Sequence, residues 1–244
     1  MPIGKTKGPP PKSKKFVRLD DQEGKLSANI LNPGQRVSCD QYISTTLGRL
    51  ANTFGKEDRN KQLAGGTIFV DHAANFIFHH HQTNLRAAET VRSKHYCESL
   101  FREYGVKIKE YIADNHPFKA SEWKSDIAHQ RQAMNYSGVD AHRQNLSERH
   151  IQTIFNWSRA LLIHFVLHWP QQVNENLWPF AVDYVVFCWN NLPAKGIKLC
   201  PLEIFTNVLF NDHHHLQRTD VFGFPVYVLD LKLQDAKRIP KWAI

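Results

Sequence analysis

The sequence has few cysteines and no long apolar run, and each shortage excludes a class of protein. Its four cysteines among 244 residues show no paired spacing, which excludes a disulfide framework and a zinc ribbon and is typical of an intracellular protein with reduced thiols. The longest apolar stretch, 161–169, is interrupted by two histidines and is far shorter than the roughly 20 residues of a membrane span. We therefore predict an intracellular protein without a transmembrane helix or a secretory signal.

Acidic residues are missing from the first 18 positions, which carry six basic side chains and hence six of the eight net positive charges. This segment also holds four prolines, so we predict a basic, Pro-rich, flexible arm over residues 1–34. Within it Lys12, Lys14 and Lys15 are candidate DNA contacts, because each neutralised phosphate releases counterions. A solvated tail without a partner is the alternative.

The rest of the chain is nearly neutral, and the sequence is 42% hydrophobic overall, so it predicts a globular core. The predicted strands cover 35–44, 67–72, 75–81 and 106–113. The predicted helices cover 85–104, 147–169 and 174–191. This order predicts a mixed sheet covered by helices, the α/β class, over residues 35–192. Residues 193–244 are predicted to be a loop-rich extension with one short strand at 225–231.

Three acidic residues lie where a structural role explains them poorly. Asp40 interrupts a run of strand-forming residues, and Asp114 follows the fourth strand, at the strand end where open α/β sheets commonly place their sites. Glu148 opens the long helix three residues before Ile151 and seven before Phe155, which puts it on the face that points toward the sheet. Converging carboxylates repel one another unless cations neutralise them, and oxygen ligands suit Mg²⁺ or Mn²⁺.

Taken singly, each of these residues has an ordinary explanation. Asp40 suits an edge strand, Asp114 a loop start, and Glu148 the positive end of a helix dipole. Together they are candidate catalytic residues and ligands of two ions, about 3.5–4 Å apart, that promote an in-line phosphoryl displacement.

Several motifs around these carboxylates resemble the integrase core of copia-type retrotransposons, closest in character to the copia-like elements of diatoms and other algae. They are Gly-Gly-Thr-Ile-Phe-Val-Asp-His at 65–72, Tyr-Ile-Ala-Asp-Asn-His-Pro-Phe at 111–118, and Ser-Gly-Val-Asp-Ala-His-Arg-Gln-Asn-Leu-Ser-Glu-Arg at 137–149. The resemblance continues through 177–193, 201–205 and 222–227, and it covers roughly residues 35–241.

The resemblance implies a ribonuclease H-like fold with a mixed five-stranded sheet, and an Asp, Asp, Glu active site carried by Asp40, Asp114 and Glu148. It implies that water nicks the ends of the element with the help of two Mg²⁺ or Mn²⁺ ions. The freed 3′ hydroxyl then attacks target DNA. The resemblance thus implies a protein that integrates DNA in the nucleus and acts as a homo-oligomer. The candidate DNA contacts near the site are Asn115, Lys119, Gln144, Asn145 and Arg149.

The chain departs from the family pattern before Glu148. Only 33 residues separate Asp114 from Glu148, and one residue and the loop glycine of the family are missing, which removes backbone freedom there. Two alternatives therefore stay open: a catalytically degenerate nucleic-acid-binding remnant, and a ribonuclease H-like nuclease.

The sequence also contains two runs of histidine and several tryptophans. The runs His79–His81 and His213–His215 lack cysteine partners and are interpreted as exposed edge or loop residues. Four tryptophans on predicted helices are expected in the core, not as base-stacking platforms: Trp157, Trp169, Trp178 and Trp189.

Overall fold

A computed structural model describes residues 31–50, 62–114, 117–136, 146–193, 198–210 and 214–225. Its five strands are β1 (Val37–Gly48), β2 (Leu63–Asp71), β3 (Ile77–Gln82), β4 (Glu110–Ala113) and β5 (Ala133–Tyr136). They form one mixed sheet in the order β3-β2-β1-β4-β5. The first three strands are antiparallel neighbours, whereas β4 and β5 continue the sheet in parallel with β1.

Helices flank the sheet and connect its parallel strands. They are α1 (Ala87–Glu103), α2 (Ser121–His129), α3 (Leu146–His168), α4 (Trp178–Asn191), α5 (Pro201–Thr206) and α6 (His214–Gln217), with a 3₁₀ turn at Glu175–Leu177. Within the described ranges, none of these helices is long and apolar enough to cross a membrane. The predicted mixed five-stranded sheet with flanking helices is confirmed.

The two faces of the sheet bury different cores, because alternate side chains of a strand point to opposite sides. On β1, Val37 and Cys39 face the core beneath α1 and α2, together with Phe69 and Tyr111. Tyr42 faces the other core, which α3 and α4 cover. Even-numbered residues at this end of β1 therefore point toward α3.

Most predicted elements are present with shifted ends. The strands β1 to β3 and the helices α1, α3 and α4 agree with the sequence pattern, and Gly105 follows α1 with a positive φ of 74°. The fourth strand is shorter than predicted, and α2 and β5 were not predicted. The two exposed residues of β5, Ala133 and Asn135, alternate with half-buried ones over only four positions, too short a pattern to identify.

The predicted C-terminal extension contributes to the core in part. Pro201 begins α5, and Phe205 is buried, with its ring stacked 4.3 Å from that of Phe76. Of the strand predicted at 225–231, only residue 225 lies in the described part of the chain, and it is not in a strand. The arm over 1–34 falls almost wholly outside the described residues, and the predicted domain boundaries stay predictions.

The expectation that all four tryptophans are core residues is wrong for two of them. Trp178 is buried, but Trp157 and Trp169 are 43% and 44% exposed. Trp157 lies midway along α3 and Trp169 directly follows it, and the last turn of the helix also leaves Leu167 75% exposed.

A buried lysine holds the α1 side of the sheet together. The Nζ atom of Lys94, on α1, lies 2.7 Å from Glu98 Oε1 and 2.6 Å from Asp126 Oδ2. Glu98 also accepts hydrogen bonds from Tyr111 and Gln132. The lysine side chain is fully buried, so its charge depends on these two carboxylates for compensation.

Candidate active site

Asp40 and Asp114 lie side by side on neighbouring parallel strands. The register of β1 and β4 pairs Cys39 with Ala113, so these aspartates are the next residues along the two strands. Cys39 and Ala113 are buried on the α1 side, and the alternation therefore turns both aspartates to the opposite face. Both are half-buried, on strands about 4.8 Å apart.

Glu148 belongs to the helix that covers this face. It lies half-buried in the first turn of α3, two turns before Phe155. The Phe155 ring packs 5.1 Å from the ring of Tyr42, which follows Asp40 by two residues on the same side of β1. Two helical turns span about 10 Å, and two strand residues span about 7 Å. Glu148 therefore lies about 10 Å from the Phe155–Tyr42 contact along α3, and Asp40 lies about 7 Å from the same contact along β1.

The direction of α3 over the sheet follows from its next residues. Arg149 and His150 act electrostatically on His72, and the His72 Nε2 atom lies 2.6 Å from Ser38 Oγ. Ser38 precedes Asp40 by two residues on the same face of β1. Traced from Phe155 back toward its first turn, α3 therefore runs from Tyr42 toward Ser38 and His72.

The three carboxylates nevertheless do not form a compact three-donor cluster. Among the described residues, the group whose three ligand atoms lie within 4.8 Å of one another is His79, His81 and Asp183. The backbone brings Asp40 and Asp114 together, and Glu148 approaches from the covering helix without joining such a group.

Two of the predicted DNA contacts are described, and both are exposed. Lys119 precedes α2, with its Nζ atom 5.4 Å from the centre of the Tyr136 ring. Arg149 lies in the first turn of α3, beside Glu148. The other predicted contacts lie outside the described residues: Lys12, Lys14, Lys15, Asn115, Gln144 and Asn145. The same holds for the shortened segment 137–145.

The pair of Ser38 and His72 is a polar contact of this face that sequence reasoning missed. Burial, with a further contribution from the nearby Arg36 charge, lowers the pKa of His72 to about 4. Its imidazole is therefore neutral at pH 7. Its position at the end of β2, one residue beyond a buried strand, is the signal that points to it.

The interpretation of His79–His81 as exposed residues is wrong. They do lie on the edge strand β3, but helices cover both of its faces and all three are half-buried. His80 contacts Ser93 of α1, whereas His79 and His81 contact Asp183 of α4. The side chains of the run His213–His215 lie outside what the structure describes.

Comparison with known proteins supports the fold. No family model and no curated protein matches the sequence. Among solved structures, the HTLV-2 integrase catalytic core in complex with magnesium (trimeric form) is 16% identical with a TM-score of 0.50, and the match covers 72% of this chain and 98% of that one. The simian T-cell lymphotropic virus intasome in complex with PP2A regulatory subunit B56 gamma is 12% identical with a TM-score of 0.51. That match covers 82% of this chain and 62% of the other.

At these identities the likeness defines the fold and nothing finer. The chain has the ribonuclease H-like fold of integrase catalytic cores, with the mixed five-stranded sheet and flanking helices described above.

Proposed function

We propose that this chain is a metal-dependent polynucleotidyl transferase that cuts and joins DNA, an integrase core of the copia type. The observation that carries the proposal is the position of Asp40 and Asp114, one step beyond the last paired residues of β1 and β4, on the face that α3 covers with Glu148 near its start. Asp114 follows the carboxyl end of β4, the kind of position where open α/β sheets commonly bind ligands, and Asp40 is its neighbour on β1.

The donor chemistry of this face fits the metal that the proposal requires. Asp40, Asp114 and Glu148 offer carboxylate oxygens alone, which Mg²⁺ and Mn²⁺ prefer over nitrogen or sulfur. When bound, two such ions would activate the attacking oxygen and stabilise the leaving oxygen at phosphorus. Because two ions are about 3.5–4 Å apart, their ligands need not all touch, which is compatible with the looser spacing of the three carboxylates.

Two exposed basic residues, one before α2 and one in the first turn of α3, would position the nucleic acid. Arg149 and Lys119 are exposed and positively charged, so both can contact phosphates without reading sequence. The basic arm with Lys12, Lys14 and Lys15 would add charge along the duplex. In the proposed reaction, water first displaces a 3′ oxygen from phosphorus at the element end and frees a 3′ hydroxyl. That hydroxyl then attacks the phosphorus of a target phosphodiester and displaces a bridging oxygen, so that one P–O bond forms as another breaks.

A nicking assay tests the proposal. Purified protein with Mn²⁺ and a short DNA duplex is expected to nick the duplex, and Asp114→Asn is expected to abolish nicking, because it removes a negatively charged ligand while it keeps the side-chain shape. Asp220→Asn is the matched control, since Asp220 is exposed and lies after α6, outside the proposed site.

Other outcomes would favour the alternatives. DNA binding without nicking by either form would favour a degenerate remnant, for which the shortened spacing before Glu148 is the supporting observation. Faster cleavage of RNA in an RNA–DNA hybrid would favour a ribonuclease H-like nuclease.

The proposal extends to assembly and location. DNA integration requires two element ends to be held together, so we propose that the active form is a homo-oligomer on DNA, acting in the nucleus with no membrane partner. Mass measurement of the protein with and without duplex DNA tests the oligomer.

A further inference from the structure

A second group of metal-ligating side chains lies at the β3 edge of the sheet, away from β4 and β5. His79 Nε2 is 2.7 Å from Asp183 Oδ1, and His81 Nε2 is 2.9 Å from the same oxygen. The histidines alternate along the edge strand β3, so both point to the face that α4 covers. Asp183 comes from the second turn of α4. Three donors from two elements thus meet at one point.

The two histidines of this group are largely buried. The side chains of His79 and His81 are only 12% and 13% exposed, whereas that of Asp183 is 54% exposed. Neutral imidazole and ionised carboxylate are the forms that bind a metal.

A buried tyrosine fixes the orientation of one histidine. The Tyr42 hydroxyl lies 2.7 Å from His81 Nδ1, and Tyr42 is only 4% exposed. With Nδ1 held by this hydroxyl, the Nε2 atom of His81 is directed at Asp183. In metal sites the second ring nitrogen of a ligating histidine is almost always held by such a polar group.

We propose that His79, His81 and Asp183 bind one borderline divalent transition-metal ion, Zn²⁺ or an ion of similar chemistry, with water in the fourth position. Two imidazole nitrogens and a carboxylate oxygen suit Zn²⁺, whereas Mg²⁺ prefers oxygen alone. Tetrahedral ligands about 2.0–2.1 Å from zinc are roughly 3.3 Å apart. The Nε2 atoms of His79 and His81 would each need to move only about half an ångström away from Asp183 Oδ1. Asp183 is 54% exposed, which leaves an entry path and room for that shift.

The ion would connect the edge strand β3 to α4 and would stabilise the fold. Binding to the folded chain alone raises the thermal midpoint in proportion to the logarithm of free metal. The alternative is a metal-free hydrogen-bonded cluster that holds the same two elements together.

Titration of the full chain with Zn²⁺ after removal of metal by chelation tests the proposal. We expect one tight site per chain, a rise of several degrees in thermal midpoint, and, with Co²⁺ instead, the intense visible absorption of a tetrahedral ion. Affinity should fall more than tenfold in His79→Gln and in Asp183→Asn. His80→Gln is the matched control, because His80 lies on the same strand but faces Ser93 of α1.

The readout distinguishes this site from other histidines and from the proposed active site. Replacement of His213, His214 and His215 by Gln should leave the tight site intact, and so should Asp114→Asn, because none of these residues is a proposed zinc ligand. The measurement involves no DNA and no nicking, so its failure would not bear on the proposed active site. Equal Zn²⁺ affinity in the wild-type protein and in a doubly substituted His79→Gln, His81→Gln chain, with both shown to be folded by circular dichroism, would overturn the proposal. So would the absence of a tetrahedral Co²⁺ spectrum.

Discussion

Two groups of potential metal ligands lie on one sheet, and the backbone assembles them in different ways. Asp40 and Asp114 are adjacent because two parallel strands end their pairing together, and Glu148 approaches from α3. His79, His81 and Asp183 are adjacent because an edge strand is covered by α4, and their ligand atoms already touch. The first group has carboxylates alone, whereas the second has two imidazoles.

The difference shows how charge decides which cluster can close without an ion. Carboxylates repel one another, so a group of three stays open until cations compensate the charge. A neutral imidazole donates a hydrogen bond to a carboxylate, so the histidine group closes by itself. Compactness in the absence of metal is therefore expected for the histidine group and not for the acidic one.

The largest expected effect comes from the scaffold that both groups share. Lys94→Met would leave Glu98 and Asp126 without their buried cation, and we expect a loss of about 3–5 kcal/mol in the free energy of unfolding. Urea denaturation measures it. Lys124→Met, at an exposed position of α2, should change stability by less than about 0.5 kcal/mol. A loss below about 1 kcal/mol for Lys94→Met would mean that the carboxylates find other partners.

The next change separates the two groups. Glu148→Gln is expected to slow Mn²⁺-dependent nicking by about 10²–10³-fold or more, the scale for loss of one preorganised charged or polar group in an active site. Its Zn²⁺ affinity should match that of the wild-type chain. Glu122→Gln, at an exposed position in the first turn of α2, is the control in the nicking assay. Parallel loss of both properties would mean that the variant disturbs the fold and not one site.

The sequence singles out the acidic residues and not the histidine group for a physical reason. Asp40 stands out because a carboxylate is disfavoured in a strand, and Asp114 because it directly follows one; both features are visible in a short window. The contact of His79 with Asp183 joins residues 104 positions apart, through the packing of α4 on β3. The alternation of His79 and His81 is visible in the sequence, but the helix that covers them is not. Likewise, α2 and β5 were missed because their apolar patterns are short.

A smaller effect tests the role of Tyr42 at the histidine group. Tyr42→Phe keeps the ring that packs on Phe155 and removes the hydroxyl that holds His81 Nδ1. We expect Zn²⁺ affinity to fall about 10–100-fold, the usual cost of losing such a supporting hydrogen bond. Isothermal titration measures the change, and Tyr184→Phe, whose hydroxyl bonds the carbonyl of Asp220, is the control. Unchanged affinity in Tyr42→Phe would indicate that the ring orientation is set by packing alone.

The smallest expected effect is a pH dependence that arises beside the acidic group. Because the pKa of His72 is about 4 in the folded chain and about 6.5 in an unfolded one, the unfolded state takes up the proton first as the pH falls. The contribution of His72 to stability is therefore complete above about pH 6.5 and is lost progressively toward pH 4. Urea denaturation at pH 7 and pH 5 should show a smaller decrease for His72→Gln than for the wild-type chain. Burial also lowers the pKa values of His79 and His150, so part of the decrease should persist in the variant. A nuclear magnetic resonance titration that places the His72 pKa near 6.5 would contradict the buried, neutral imidazole and would put a positive charge beside Ser38 at mildly acidic pH.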